Sequence, residues 1–140
     1  MAIEIDTTFL DSLLTQATEN PRQRRNYDLR TSSEDTSQRM LNALIPGTQV
    51  PIHRHVDTSE TVICLRGRLI EIFYEEVVEY VEDGGDVMRR NAFKEVSRHL
   101  LCPPDGYYGI QIPAGIWHTI EVLEPSVIFE AKDGAYKGNN

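Results

Sequence analysis

GTQVPIHRHVDTSETVICLRG, residues 47–67, is the stretch whose reading decides the fold. His53 and His55 stand two apart within it, and in extended chain such residues point to one face, so both imidazoles can reach a single point in space. An HxH pair alone is as often incidental as functional, and the frame around it carries the reading. Gly47 precedes His53 by six positions, Glu60 follows His55 by five, and Gly67 follows Glu60 by seven, giving G-x5-H-x-H-x4-E-x6-G. Asp57, Thr58 and Ser59 are turn formers that let Glu60 return towards the histidines. Far downstream, Pro113-x-Gly115-x-x-His118 is a tight turn in which Gly115 permits the bend that aims a third histidine inward. Three neutral imidazoles and a carboxylate make a nitrogen and oxygen donor set suited to first-row divalent ions and poorly suited to calcium or magnesium. The expectation is one such ion, Zn, Fe, Ni or Mn, on His53, His55, Glu60 and His118, with open positions left for water or substrate.

Outward from this stretch the chain is punctuated as short strands. Ser37 to Ile45, Thr61 to Tyr74, Val77 to Val81, Tyr107 to Ile112, His118 to Leu123 and Val127 to Ala131 have strand texture. Turns are expected at Pro46-Gly47, Arg66-Gly67, Asp83-Gly84-Gly85, Pro103 to Gly106 and Pro113 to Gly115. Residues 86–102 have a composition that also suits a helix, but the flanking turns favour the return arm of a long hairpin. Such a pattern predicts an antiparallel barrel or double-sheet jelly roll. Before it, Phe9, Leu10, Leu13, Leu14 and Ala17 recur at helical spacing, with Asp6, Thr7 or Thr8 as N-cap and Pro21 past the end. The basic run Arg22, Arg24 and Arg25 follows; it reads as a solvated loop, with an anion-binding arm as the alternative.

The quoted stretch, from Gly47 through His53, His55 and Glu60 to Gly67, resembles the first cupin motif at every required position. PAGIWH, with Pro113, Gly115 and His118, resembles most of the second. The second motif departs twice: Gly106 lies one residue too early for its leading glycine, and Val122 stands where the family has asparagine. More narrowly, QRMLNALIPGT, LRGRL and IWHTIEVLEPSVIFEAKDGAY resemble the WbuC-type cupin metalloproteins, small bacterial proteins encoded among genes for O-antigen and other surface polysaccharides. The resemblance implies an all-β antiparallel jelly-roll barrel with a short N-terminal helix and a metal inside, and carries no settled reaction. The corresponding organisation is a helix and arm over 1–28, the barrel over 29–136 and a frayed end at 137–140.

The chain has 140 residues, 40% hydrophobic and 26% charged, enough for one domain that needs no metal to fold. Its 22 acidic residues against 14 basic ones, a formal charge of -8, argue against a nucleic-acid or anionic-membrane surface. Cys64 and Cys102 form no CxxC, there is no long apolar run, and the N-terminal stretch is acidic, so a reduced cytoplasmic setting is expected. Cys64 shares the strand face of Glu60 and reads as a buried apolar thiol.

A small-molecule ligand is therefore expected, with Arg39 and Asn42 at the pocket mouth and Lys132 and Tyr136 closing over it. Arg39 has an outward, solvated position as its alternative, because a one-residue change of register exchanges the faces. His99 reads as a surface histidine, and Trp117 as packing on the face opposite His118. No general acid or base stands out; Glu71, Glu75 and Glu121 qualify only where they face inward. The function expected is metal-dependent chemistry on a sugar or nucleotide sugar, of isomerase or epimerase type. A dioxygenase and a non-catalytic sugar-binding module are the alternatives. The acidic segment EEVVEYVED is a candidate edge for a homodimer.

Overall fold

Asp6 supplies the start signal for the first element, its carboxylate accepting the Phe9 N–H at 2.9 Å, and helix α1 runs Thr7–Glu19. Pro21 ends it, since proline cannot continue the ladder. The apolar stripe buries Leu10, Leu13 and Ala17 against Leu41, Ala43 and Val127 of the sheet beneath. The computed structural model describes residues 1–134 and adds six strands: β1 Arg24–Asp28, β2 Ser37–Leu44, β3 Glu60–Asp83, β4 Asp86–Leu101, β5 Gly109–Ile112 and β6 Trp117–Asp133. All pairings are antiparallel, in the order β1-β2-β6-β3-β4, with β5 on the far edge of the first part of β3. This is the expected jelly-roll fold, and residues 86–102 are the expected return strand of a hairpin.

Several sequence boundaries are corrected. The expected strand from Thr61 to Tyr74 is continuous, extends to Asp83 and takes in the expected strand Val77 to Val81, and the turn expected at Arg66-Gly67 is a kink within it: the β3–β6 register slips between Cys64 and Leu69 and pairing resumes on the other side. Gly67 makes that kink possible, with φ at +102° and no room for a Cβ, which would lie 2.2 Å from Ser126 Oγ and 2.4 Å from the Pro125 carbonyl oxygen. The opposed bend in β6 falls at Pro125, so His118 to Leu123 and Val127 to Ala131 are also parts of one strand. Strands that bend together in this way pass from one layer of the roll to the other and close a core. That core holds Leu44, Val62, Leu69, Leu101, Ile112, Val122 and Ile128. The segment expected as a solvated basic loop contributes β1 instead. Only Tyr27 in RRNYD favours a strand; its pairing with the apolar β2 imposes the extended form.

Beyond Tyr74 the β3–β4 pair loses its pairing with β6 and projects as a two-stranded ribbon, with Phe93 packed on Trp117 of β6 at its base and Val78, Tyr80, Val87 and Met88 exposed. Among the described residues no helix is long and apolar enough to cross a membrane.

Candidate metal centre

The three histidines meet because of backbone pairing. His53 and His118 form an isolated antiparallel bridge, His53 N to His118 O at 3.0 Å and His118 N to His53 O at 2.8 Å, which places their side chains on one face. His55, two residues on, follows to that face. Its carbonyl accepts the Gly115 N–H at 2.8 Å, which ties the PAGIWH turn to the HxH segment. Arg54 and Trp117 alternate outward and meet each other, with the guanidinium 4.5 Å from the indole ring, as the expected placing of Trp117 requires. One nitrogen from each of His53, His55 and His118 lies within 4.8 Å of the others, and His55 and His118 are buried.

Tautomers are set from behind. His53 Nδ1 meets the Pro51 carbonyl at 3.0 Å and His118 Nδ1 meets the Ile116 carbonyl at 2.9 Å, so each Nδ1 carries the proton and each Nε2 keeps its lone pair. Burial depresses the His53 imidazole, and burial with the neighbouring His53 pushes His118 down to about 4, so both are neutral at pH 7. Glu60, buried at the head of β3, places Oε2 2.8 Å from His55 Nε2. Burial raises its carboxyl, but the His55 contact and the three imidazoles outweigh this and hold it below its ordinary value. A carboxylate oxygen and an imidazole nitrogen so close need a proton or a cation between them. His55 Nδ1 has no hydrogen-bond partner and gains none from the frame. These features fit a divalent ion on the three histidines, with Glu60 joining from the His55 side. The fold therefore brings His53, His55 and His118 together and sets Glu60 against one of them.

His53 opens onto a cavity of about 210 Å³ whose wall includes Met40, Leu44 and Ile120 with Asn42 and Glu130. Asn42 donates to Glu130 Oε2 at 2.9 Å. Burial and the charge of Glu60 raise the Glu130 carboxyl to about 8, against a smaller opposing effect of the Asn42 bond. Glu71 is 2% exposed, with Oε2 unpartnered, and burial followed by the charges of Glu60 and Glu130 holds it well above the usual range. Of the three glutamates considered from sequence, Glu71 faces inward; Glu75 is exposed, and Glu121 is exposed and paired with Arg98 at 3.2 Å. Glu130 was missed. Its signal was the alternation Ile128, Glu130, Lys132 in a strand whose neighbour carries Asn42.

Other expectations are corrected by where the strands set each side chain. Arg39 and Asn42 are three apart and cannot share a face. Asn42 lines the cavity, whereas Arg39 turns the other way and binds Asp35 Oδ2 at 3.1 Å and the Ser37 carbonyl at 2.6 Å. Lys132 lines a separate, more open hollow of about 430 Å³ with Gln38 and Ser59, and reaches the Gly134 carbonyl at 3.0 Å. Tyr136 lies outside the described residues. His99 is half-buried rather than a solvated histidine: its ring lies 4.6 Å from that of Phe73 and Nε2 meets Ser97 Oγ at 2.9 Å. Cys64 is buried, and that burial pushes its thiol up to about 11, as befits an inert packing group.

The chain thus has a jelly-roll fold of cupin type that carries three inward histidines as a candidate metal centre. Solved structures agree on the fold. Oxalate oxidase in complex with the substrate analogue glycolate has a TM-score of 0.56 at 16% identity, over 95% of this chain and 63% of that one. KdgF from Halomonas sp. has 0.51 at 13%, over 81% of each chain. The capsular polysaccharide assembling protein CapF from Staphylococcus aureus has 0.50 at 21%, over 80% of this chain, which spans 28% of the length of CapF. Residues 5–84 match the family described as Domain of unknown function (DUF6016), and the chain belongs to that family. No curated protein matches the chain in sequence.

Proposed function

We propose that this protein is a metal-dependent cupin enzyme that moves a proton on a small sugar-derived metabolite, an isomerase or epimerase in function. One observation carries the reading: a three-histidine cluster opens through His53 onto a cavity that also presents Glu130, a buried acid whose carboxyl is raised, to about 8 in the metal-free protein. A group that must give and take a proton works best when its pKa lies near the working pH, and Glu130 meets that condition where an ordinary glutamate does not. A divalent ion on His53, His55, His118 and Glu60 would supply Lewis acidity towards a carbonyl or hydroxyl oxygen. Asn42 fixes one Glu130 oxygen, so the carboxyl is oriented before a ligand arrives. Met40, Leu44 and Ile120 reduce water on the remaining wall, which strengthens each polar contact inside. Glu71, behind the site, adds a second buried acid. The reading as a non-catalytic module began from the lack of an acid or base, and these two residues supply one. The WbuC-type resemblance, together with the likeness of fold to a protein of capsular polysaccharide assembly, supports a surface-polysaccharide setting.

The test is solvent exchange. Metal-loaded protein is incubated in deuterated water with a panel of monosaccharides and sugar acids, and deuterium at the carbon beside the carbonyl is followed by NMR. Exchange that Glu130→Gln abolishes, with metal content unchanged, supports the proposal. Binding without exchange by any member of the panel returns the protein to the binding-module reading.

A further inference from the structure

The run Arg22, Arg24 and Arg25 is divided by the sheet. In β1, Arg24 and Asn26 lie opposite Leu44 and Asn42 and so share their inward face, while Arg25 and Tyr27 lie opposite Ala43 and Leu41. Arg25 accordingly turns to the helix side, where its Nε donates to Gln16 at 2.7 Å. Arg22 and Arg24 line the same cavity as His53, Asn42 and Glu130. Gln23, between them, has φ at +58° and is the one non-glycine residue with a positive φ among those described. A left-handed residue costs about 1 kcal/mol and persists only where its surroundings enforce it. The enforcement is visible: Gln23 N–H donates to the Asn20 carbonyl at 2.9 Å, Ile45 N–H donates to the Gln23 carbonyl at 3.1 Å, and Thr48 Oγ1 donates to the Arg22 carbonyl at 2.7 Å. Arg24 is braced by the Gln49 carbonyl at 2.7 Å. Among the described residues the exposed Arg22 guanidinium meets no hydrogen-bond acceptor or acid.

We infer that Arg22 and Arg24 form an anion clamp at the mouth of the cavity, and that the ligand is a small hydroxylated acid, a sugar carrying a carboxylate or a phosphate, held by this group while its other end faces His53. The inference rests on the cavity being the ligand site of the proposed function. Charge makes the case: a chain of formal charge -8 repels anions in general, so two arginines on one cavity wall mark the place where an anion is admitted. Among the described residues Glu130 is the one acid on that wall, and it is engaged by Asn42. Size narrows the class further. A cavity of about 210 Å³ lies below the roughly 300–1,000 Å³ of sites that enclose drug-sized ligands, so what it encloses is about one sugar ring or an open-chain acid.

The experiment is calorimetric titration of zinc-loaded protein, its zinc content measured by elemental analysis, with D-galacturonate, D-galactose 1-phosphate and neutral D-galactose. At least one acid should bind about ten-fold or more tightly than galactose, and which acid does so distinguishes carboxylate from phosphate. Arg22→Ala should remove most of that preference, flatten its salt dependence and leave galactose affinity unchanged; Arg22→Lys should restore part of it. Arg25→Ala, on the helix side, should change nothing. Arg22 is exposed and its backbone contacts survive truncation, so the variant tests binding and its fold is checked by circular dichroism. Acids that bind no better than galactose, or an Arg22→Ala preference equal to wild type, would overturn the clamp while the metal reading stands. Protein that takes up no zinc defeats the metal reading, and the clamp is then judged by the same titration on the metal-free protein.

Discussion

Replacing Glu130 by glutamine should stabilise the metal-free protein, and by an amount that grows with pH. In the unfolded chain the carboxyl ionises near its ordinary 4.5; in the folded, metal-free protein burial and Glu60 hold it at about 8. Between those values the folded state carries a proton that the unfolded state has lost, so stability falls as pH rises through this window. Below 4.5 both states are protonated and the cost is absent; above 8 it is complete. At about 1.4 kcal/mol per pH unit, the cost reaches ~3 kcal/mol at pH 7 and has a ceiling of ~5 kcal/mol above pH 8. Water entering the cavity lowers that ceiling. Glutamine is nearly isosteric and its oxygen still accepts from Asn42, so the substitution removes the charge and little else. The assay is urea unfolding of chelator-treated wild type, Glu130→Gln and Glu75→Gln from pH 5 to 8.5. Wild type should lose stability relative to Glu130→Gln across the range, and Glu75→Gln, exposed on the ribbon, should run parallel to wild type. Parallel curves for wild type and Glu130→Gln would refute the reasoning, because the buried carboxyl would then ionise as freely folded as unfolded.

Other substitutions test the remaining parts of the structure. Elemental analysis of wild type should find about one first-row metal per chain, and His53→Ala combined with His55→Ala should abolish it, together with the stabilisation expected from zinc, about 2.7 kcal/mol at a hundred times Kd, read by urea unfolding. Gly67→Ala should cost about 3 kcal/mol or more, since its Cβ would overlap Ser126 and the Pro125 carbonyl on a backbone already at φ +102°; a denaturation midpoint within error of wild type would count against the kink. Leu13→Ala should cost roughly 2–5 kcal/mol and loosen α1 from the sheet, read by denaturation and by faster amide exchange in residues 7–19.

Much of the site was legible because its information is local. The interval between His53 and His55 sets a common face in any extended chain, and Gly115 marks a bend whatever surrounds it. Asp6 and Pro21 bound the helix by chemistry that acts within a few residues. Glu130 was hidden for the opposite reason, and Glu71 could be named only as one of three candidates: a glutamate in VIFEAK or LIEIF looks solvated until the register of three strands shows which side it faces. Arg39 and Arg22 exchanged roles on the same ground. Strand alternation places Arg39 with Leu41 on the outer face, and the β1 pairing, which nothing in RRNYD requires, carries Arg24 inward beside Arg22.

The sequence by itself determined an antiparallel all-β class, the three histidines that converge and the presence of one N-terminal helix closed before Pro21, because spacing, turn chemistry and capping depend on neighbours along the chain. Only the tertiary structure decided that β3 and β6 are single bent strands, that a buried acid with a raised carboxyl stands on the cavity wall, and that two arginines of the N-terminal arm line the same cavity. Each of those depends on which strand lies beside which, and on the burial that follows, and neither is written in the spacing of residues along one strand.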